Sequence, residues 1–218
     1  MIAHQWRQPL TAISSTVSTL SLDIMMDNYN EEFFKDQLEK ISSYSQHLSS
    51  TIDDFRNFSK QDKKMQETTL AELVENTFSI TRPSLESKSI ILTTNYNCKK
   101  KVITYPNELK QVILNLIKNA EDILLENKIK NPKITIETSC NDGYCILSVE
   151  DNAGGIPENI IDKIFDPYFS TKKAKDGTGL GLYMSKTIIE DHCGGKLIAL
   201  NGASGAIFKI RLKVEDER

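Results

Sequence analysis

What this 218-residue chain lacks excludes several classes of protein. No apolar stretch approaches the ~20 residues that a membrane-spanning helix needs, and the polar, helix-patterned first thirty residues argue against a signal peptide. A formal net charge of only −3 gives no reason to expect a nucleic-acid partner. Because 39% hydrophobic and 26% charged residues are typical of globular proteins, we expect a cytoplasmic chain that does not itself enter a membrane.

The cysteines also lack a recognisable pattern. Cys98, Cys140, Cys145 and Cys193 show none of the short spacings that are typical of zinc ligands. Cys140 and Cys145 fall in or beside apparent strands. For a cytoplasmic protein the default interpretation is four reduced thiols.

Two long amphipathic helices are predicted in the first sixty residues. Apolar positions recur at alternating steps of four and three, which is the pattern of a coiled coil or four-helix bundle. They are Ile2, Trp6, Leu10, Ile13, Val17, Leu20 and Ile24, then Phe34, Leu38, Ile41, Ser45, Leu48, Ile52 and Phe55. A single helical hairpin has too little apolar surface to bury against itself. We therefore expect two chains to form an antiparallel four-helix bundle, as a homodimer.

From about Thr68 the pattern becomes a mixture of helices and strands. Helices are predicted at 70–80, 108–126 and 182–192, and strands at 90–95, 102–105, 134–138, 144–150, 196–200 and 206–212. This order favours a two-layer α/β sandwich with a largely antiparallel sheet. Residues 59–67 are almost all polar and are predicted to be a hinge, so the domains are placed at 1–62 and 68–218. The overall class is α+β.

Three motifs in the second half carry chemistry suited to a nucleotide. Asn115 and Asn119 lie four apart, on one helical face, and an amide oxygen is a suitable ligand for Mg²⁺ that phosphates mainly hold. Asp151 directly follows a strand and begins a glycine-containing turn that runs through Gly154 and Gly155 to Ile156. A run of Gly177, Thr178, Gly179, Leu180, Gly181 and Leu182 opens a helix, where backbone N–H groups favour phosphate.

Together with Phe165–Phe169 and Ser170–Lys172, these motifs resemble the ATP site of the Bergerat-fold superfamily of DNA gyrase, heat-shock chaperone, mismatch-repair and histidine-kinase ATPases. The segment from His4 to Leu10 resembles the dimerisation and phosphoacceptor domain of two-component sensor histidine kinases. This resemblance implies that ATP phosphorylates His4 and that the phosphoryl group passes to an aspartate of a response regulator receiver domain.

The resemblance also assigns roles in the ATP site. Asn119 would hold Mg²⁺, Asp151 would bind adenine with Gly155 and Ile156 beside it, and the loop 177–182 would contact phosphates. Residues from about 157 to 176 would form a lid, whose Lys172 is a candidate phosphate contact, as is Lys118. In the water-activating ATPases of the superfamily a glutamate stands one turn before the Mg²⁺ ligand, whereas this chain has Asn115.

The residues around His4 support a nucleophilic role but depart from the common family pattern. His4 lies off the apolar stripe, and a neutral imidazole is nucleophilic at pH 7. Gln5 stands where the common pattern has an acid that serves as general base. In an antiparallel hairpin with its turn near Tyr29, residue 54 of the second helix lies level with residue 4 of the first. Asp53 or Asp54 is therefore a hypothetical base for His4. Pro9 removes a helix hydrogen bond and predicts a flexing point.

Two alternatives stay open on the sequence alone. One is a clamp or chaperone ATPase of the same superfamily, against which the absence of a water-activating glutamate at Asn115 argues. The other is a degenerate nucleotide-binding scaffold, because Gln5 and Gln8 depart from the phosphoacceptor pattern, and against it stand the nearly complete ATP motifs. By the same resemblance, Gln8 replaces the Thr or Asn of phosphatase-competent members, so phosphatase activity is not predicted. The chain also begins inside a motif, from which we expect a longer protein whose upstream part can include a membrane anchor.

Overall fold

The helical hairpin predicted for the first sixty residues is confirmed. The computed structural model describes residues 2–28, 30–59, 64–171 and 179–214. Helix α1 spans Ile2–Met25 and helix α2 spans Glu31–Ser59. Asn30 ends the connection, since its Oδ1 accepts from the backbone N–H of Phe33 at 2.9 Å and so caps α2.

The hairpin buries few of its side chains by itself. Among its described side chains, Leu20 alone is buried, at 8% exposure. Leu10, Val17 and Leu38, which belong to the predicted apolar stripe, are 50%, 46% and 57% exposed. No described helix of the chain is both long and apolar enough to cross a membrane.

Most of the second half, up to residue 169 and from residue 181 onward, forms a second compact unit of helices and strands. Its elements are β1 (Gln66–Thr69), α3 (Leu70–Ser87), β2 (Ile91–Tyr96), β3 (Lys101–Thr104), α4 (Pro106–Glu126), β4 (Lys133–Asn141), β5 (Tyr144–Asp151), α5 (Gly181–Thr187), β6 (Lys196–Asn201) and β7 (Ala206–Lys213). A π-helical turn, Ile188–His192, continues α5. The main sheet has the order β2-β4-β5-β7-β6, and every pair except β2–β4 is antiparallel. The predicted α+β architecture is thus confirmed.

The core of this unit follows from the two periodicities of its sequence. Along β5 and β7 every second side chain is buried, because alternate residues of a strand point to one face of the sheet. Helix α4 buries Leu109, Val112, Ile113, Leu116 and Ile117, all at no more than 1% exposure. It packs against β4 and β5 and also against α3 and α5, which makes it the central helix of the sandwich.

Part of the predicted hinge is a strand. Gln66 and Glu67 pair with Thr104 and Ile103, so that β1 and β3 form a separate two-stranded ribbon. The side chains of Gln66 and Glu67 are exposed, and β1 has no buried side chain, so its sequence shows no apolar alternation. Lys101 Nζ lies 2.8 Å from Glu67 Oε2 and adds an exposed ion pair across the ribbon.

The expectation of four reduced thiols is wrong for two of them. Cys98 and Cys140 are joined by a disulfide, with their Cα atoms 5.2 Å apart. The β2–β4 pairing brings them together, because Asn97 N donates to Thr138 O at 2.9 Å just beyond the end of β2. Residues 42 positions apart in sequence show no local sign of such pairing. Cys145 and Cys193 are free.

Candidate functional site

Asp151 lies at the end of β5, in the interior of the sandwich, at 5% exposure. Its Oδ1 accepts from the backbone N–H groups of Ala153 at 2.8 Å and Ala206 at 3.2 Å. Its other carboxylate oxygen has no hydrogen-bond partner among the described residues. Burial raises the pKa of this carboxyl, and the two N–H donors act against that rise. The side chain is therefore fixed through one oxygen and keeps the other as an acceptor.

Three asparagines hold the turn after Asp151 in place. Asn201, at the end of β6, accepts from the N–H of Ile156 at 2.7 Å and donates to the carbonyl of the same residue at 2.8 Å. Asn127 donates to the carbonyl of Ala153 at 2.9 Å. Asn152 bridges Lys133 and Asn131 at the start of β4. Asn201 and Asn127 were missed in the sequence because they are isolated asparagines in unremarkable segments.

The glycines of this turn have specific conformational roles. Gly154 and Gly155 adopt φ values of 99° and 85°, which side chains disfavour. A Cβ on Gly155 would also lie 2.8 Å from Asn201 Oδ1. Any larger residue at position 155 would therefore displace the asparagine that holds Ile156.

Asn115 connects α4 to the start of α5. Its Nδ2 donates to the hydroxyl of Ser185 at 2.9 Å, and Ser185 is itself buried. A Cβ on Gly181 would lie 2.5 Å from Asn115 Oδ1, so glycine at 181 permits this close approach of the two helices. Ser185 was not singled out in the sequence, because a lone serine in a helix carries no signal.

Asn119 lies one turn further along α4 and is half-buried. No described residue forms a hydrogen bond to its side-chain amide, which leaves the amide oxygen available to a ligand. Its neighbour Lys118 is differently placed, since its Nζ lies 2.7 Å from Asp122 and 3.1 Å from Glu121. Lys118 is thus already in ion pairs on α4.

The first part of the predicted lid consists of successive tight turns. Backbone hydrogen bonds link Pro157 to Ile160, then Ile160 to Lys163, Lys163 to Asp166 and Asp166 to Phe169. Phe165 anchors these turns, because its ring packs edge-on against Phe208 of β7 at 6.4 Å and Lys186 Nζ lies 5.1 Å from the ring centroid.

The glycine-rich loop is described only in part. Lys172, Gly177 and Thr178 lie outside the described residues. Gly179 adopts φ 65°, Leu180 is 7% exposed, and Gly181 and Leu182 begin α5.

The residues assigned to phosphoryl transfer lie on the hairpin. Positions 4 and 5 belong to the first turns of α1, and positions 53 and 54 belong to the last part of α2. The side chains of His4, Gln5, Asp53 and Asp54 lie outside the described residues, so their roles stay predictions. Pro9 lies inside α1, which continues past it to Met25.

Two protein families match complementary parts of the chain. Residues 1–64 match the His Kinase A (phospho-acceptor) domain. Residues 104–216 match the family of histidine kinase-, DNA gyrase B- and HSP90-like ATPases, which assigns ATP binding to the sandwich.

Individual proteins agree with this assignment. The signal transduction histidine-protein kinase AtoS of Escherichia coli is 32% identical over 99% of this chain and 34% of its own length. The catalytic domain of histidine kinase ThkA is 30% identical, with a TM-score of 0.62 over 69% of this chain and 96% of that domain. ThkA in complex with the response regulator protein TrrA is 25% identical, with a TM-score of 0.66 over 98% of this chain and 60% of that one.

The chain spans between 23% and 48% of the length of the first curated relatives that it matches. Both halves of the chain match histidine kinases in the expected order, and the α/β half has the fold of a histidine kinase catalytic domain. The chain therefore belongs to the two-component sensor histidine kinases, of which it forms the catalytic core.

Proposed function

We propose that this chain phosphorylates its own His4 with ATP and then transfers the phosphoryl group to an aspartate on a response regulator receiver domain. An imidazole nitrogen attacks the γ-phosphorus, the bond to the β,γ-bridging oxygen breaks, and ADP leaves with that electron pair. The imidazole proton passes to a base. The observation that carries this proposal is the joining of a phosphoacceptor domain and an ATPase domain in one chain.

Adenine recognition is proposed for Asp151. The oxygen that is free of backbone contacts can accept a hydrogen bond from the exocyclic amine of adenine, while Ala153 and Ala206 keep the carboxylate in position. Gly155 and Ile156, held by Asn201, would border the base. The buried surroundings strengthen such a hydrogen bond.

The contacts of Asn115 support phosphoryl transfer to histidine over hydrolysis. An amide cannot take a proton from water, and the amide of Asn115 is already used to join α4 to Ser185. General-base catalysis is worth about 10²- to 10⁴-fold, so its absence at this position would slow hydrolysis. The γ-phosphate would then survive for His4.

Magnesium is proposed as the metal partner of ATP. The Asn119 amide oxygen is a hard, neutral donor with no competing partner among the described residues, and this fits a cation held mainly by phosphates and water. Bound Mg²⁺ would neutralise charge on the phosphates. Gly177, Thr178, Gly179, Leu180, Gly181 and Leu182, with Lys172 and Lys118, are proposed to surround the phosphates, and Lys118 would have to exchange its carboxylate partners to do so.

The proposed assembly is a homodimer in the cytoplasm that also receives a response regulator. The exposure of Leu10, Val17 and Leu38 supports the dimer, because a second hairpin would cover these side chains. The receiver partner is proposed by analogy with ThkA, which was solved in complex with a response regulator. No nucleic-acid partner is proposed.

The proton acceptor stays a hypothesis. Gln5 cannot act as a base, and Asp53 or Asp54 of either chain is proposed to take the proton from His4. Asp53→Asn, Asp54→Asn and the double variant, assayed at saturating ATP, test this directly. An unchanged autophosphorylation rate in all three would remove both residues from the mechanism.

The decisive experiment is to label the chain with ATP that carries a radioactive γ-phosphate. We expect an acid-labile, base-stable label that is absent in His4→Gln, while this variant still binds a fluorescent ATP analogue. Transfer of the label to a receiver domain, and its loss when the receiver aspartate is replaced, would support the second step. Label on serine or threonine, or label retained in His4→Gln, would refute the proposal.

A further inference from the structure

Three of the four cysteines come together at one end of the main sheet. The Sγ atoms of Cys98, Cys140 and Cys145 all lie within 4.8 Å of one another. Cys98 lies between β2 and β3, Cys140 is near the end of β4, and Cys145 is its cross-strand partner in β5. Cys98 and Cys145 are 3% and 0% exposed, and Cys140 is more accessible.

Two of the three cysteines lie opposite each other on paired strands. Cys140 and Cys145 flank a tight hairpin turn in which Asp142 and Gly143 adopt φ values of 48° and 77°. Cys98 is fixed against the same strand, because its N–H donates to Thr138 Oγ1 at 3.4 Å. Strand pairing thus holds Cys140 opposite Cys145, and Cys98, in the connection between β2 and β3, is linked to β4 by this hydrogen bond.

The distances suit a single metal ion in the reduced protein. A cation with metal–sulfur bonds of about 2.3 Å separates its sulfur ligands by about 3.7–4.0 Å in tetrahedral or trigonal geometry. Cys98 Sγ and Cys145 Sγ are already 3.3 Å apart. Reduction of the Cys98–Cys140 disulfide lets those two sulfurs separate toward the required distance.

We propose that the reduced cluster of Cys98, Cys140 and Cys145 binds one thiophilic cation, Zn²⁺ or Cu⁺, and that the disulfide is its oxidised, metal-free form. A dithiol reductant supplies two electrons and two protons to the Cys98–Cys140 bond and becomes a disulfide itself. The cation then displaces the protons of the three thiols. Three thiolates are soft ligands, which favour these two ions over Mg²⁺ or Ca²⁺.

The surroundings of the cluster are compatible with a negatively charged metal–thiolate centre. Lys99, Lys100 and Lys101 follow Cys98 directly and bring three positive charges into the segment beside the cluster. The Cys145 thiol donates to the carbonyl of Lys100 at 3.8 Å, and metal binding would replace this contact. The centre would be remote from adenine, since Cys145 and Asp151 are six residues, or about 20 Å, apart along β5. The cation would connect the loop before β3 to the β4–β5 hairpin.

The test uses the whole chain, reduced and desalted without oxygen. Co²⁺ serves as a spectroscopic probe of thiolate ligation, Zn²⁺ is measured by competition with a chromophoric chelator, and Cu⁺ by competition with a Cu⁺-specific chelator. We expect one equivalent per chain, with sulfur-to-cobalt charge-transfer absorption. Cys98→Ser, Cys140→Ser and Cys145→Ser each remove a ligand, so each should weaken the affinity by more than the about 10- to 100-fold that loss of a ligand's hydrogen-bond partner costs. The oxidised protein should bind no cation.

Cys193→Ser is the matched control, because Cys193 lies after the π-helical turn and outside the cluster. It should bind the cation as the wild type does. ATP-analogue binding checks that each variant is folded, and if a serine variant fails this check, native mass spectrometry of the reduced wild type replaces it. A mass increase of one cation, less the displaced protons, supports the proposal. Unchanged affinity in folded Cys145→Ser, or no mass increase in the wild type, overturns it.

Discussion

The hairpin and the sandwich differ most clearly in how their apolar residues are covered. In the sandwich, Val112, Ile136 and Leu147 are all fully buried within one chain. In the hairpin, Leu10 and Leu38 stay about half exposed although they occupy the apolar stripe. Apolar residues of the sandwich are thus buried by the same chain, whereas those of the hairpin stripe stay exposed to solvent.

This difference has an energetic consequence for each region. Burial of apolar surface contributes about 25 cal/mol per Å², so a region that leaves its stripe open has little to offset its loss of conformational entropy. We infer that the sandwich folds on its own, whereas the hairpin depends on a second copy. Stability of the hairpin should therefore vary with protein concentration, and that of the sandwich should not.

The largest effect is expected from a cavity in the sandwich. Leu116 of α4 is fully buried, and Leu116→Ala should destabilise the sandwich by about 2–5 kcal/mol. Leu38→Ala is the matched change in the hairpin, and it should leave the sandwich unaffected while it weakens self-association. Urea unfolding measures both, with nucleotide binding as the signal of the sandwich and the fluorescence of Trp6, the single tryptophan, as the signal of the hairpin.

Leu116→Ala should change only the sandwich signal and Leu38→Ala only the hairpin signal, and two outcomes would contradict this. A loss of nucleotide binding at lower urea in Leu38→Ala would mean that the sandwich relies on the hairpin for stability. Equal urea midpoints for the Trp6 signal at low and high protein concentration would mean that the hairpin is stable without a partner.

Asp151→Asn is expected to have the next largest effect, and it is confined to the sandwich. Asparagine keeps an oxygen that can accept from Ala153 and Ala206, so the fold should survive, but the second oxygen becomes an amide donor. A hydrogen bond to a charged group is worth about 1.5–3 kcal/mol, which corresponds to about 10- to 100-fold in affinity. ATP and ADP should be weakened alike in equilibrium binding, because both contain adenine.

The pH dependence of binding provides an internal check on that carboxylate. Burial raises the pKa of Asp151 above its ordinary value, so the carboxyl takes up a proton at a higher pH than an exposed aspartate does. The protonated form loses the acceptor that adenine needs, and affinity should fall as the pH drops through this raised pKa. Asp151→Asn should lack that component. If the affinity of both proteins falls in the same way at low pH, Asp151 does not bind adenine.

Features of the fold that repeat along the sequence could be predicted, and features that depend on single long-range contacts could not. The four-and-three spacing through Leu10 and Leu20 predicted α1, and the strand predicted at 144–150 is observed as β5. The strand β1 was missed because none of its side chains is buried, so its sequence has no apolar period. The Cys98–Cys140 disulfide joins residues 42 positions apart, and the hydrogen bonds between Asn201 and Ile156 join residues 45 positions apart. Such contacts follow from tertiary structure alone.

The nucleotide site shows the same limit within a single motif. Asp151, Gly154 and Gly155 could be assigned by resemblance, because their residue types stand together in the sequence. The reason why position 181 requires glycine could not be predicted, because it is a tertiary contact. A Cβ at this position would lie 2.5 Å from Asn115 Oδ1. Resemblance therefore identified the residues, and the structure supplied a physical reason for this one that differs from phosphate binding.

The smallest effects are expected at the helix caps, which offer an equivalent change in each region. Thr69 caps α3 through its hydroxyl, which accepts from Glu72 N at 3.2 Å, and Asn30 caps α2 through its amide oxygen. Loss of either cap should cost about 1 kcal/mol. Thr69→Ala should shift the urea midpoint seen by nucleotide binding, and Asn30→Ala should shift only the Trp6 signal and its dependence on concentration.

The α3 cap should also respond to acid, because the N–H of Thr69 and the hydroxyl of Thr68 hold the pKa of Glu72 below its usual value. The stability that ionised Glu72 contributes is fully present above the ordinary glutamate pKa, and it is lost as the pH falls through the lowered pKa of Glu72 in the folded protein. If Asn30→Ala shifts the nucleotide-binding midpoint as much as Thr69→Ala does, the two regions unfold as one unit and the contrast between them fails.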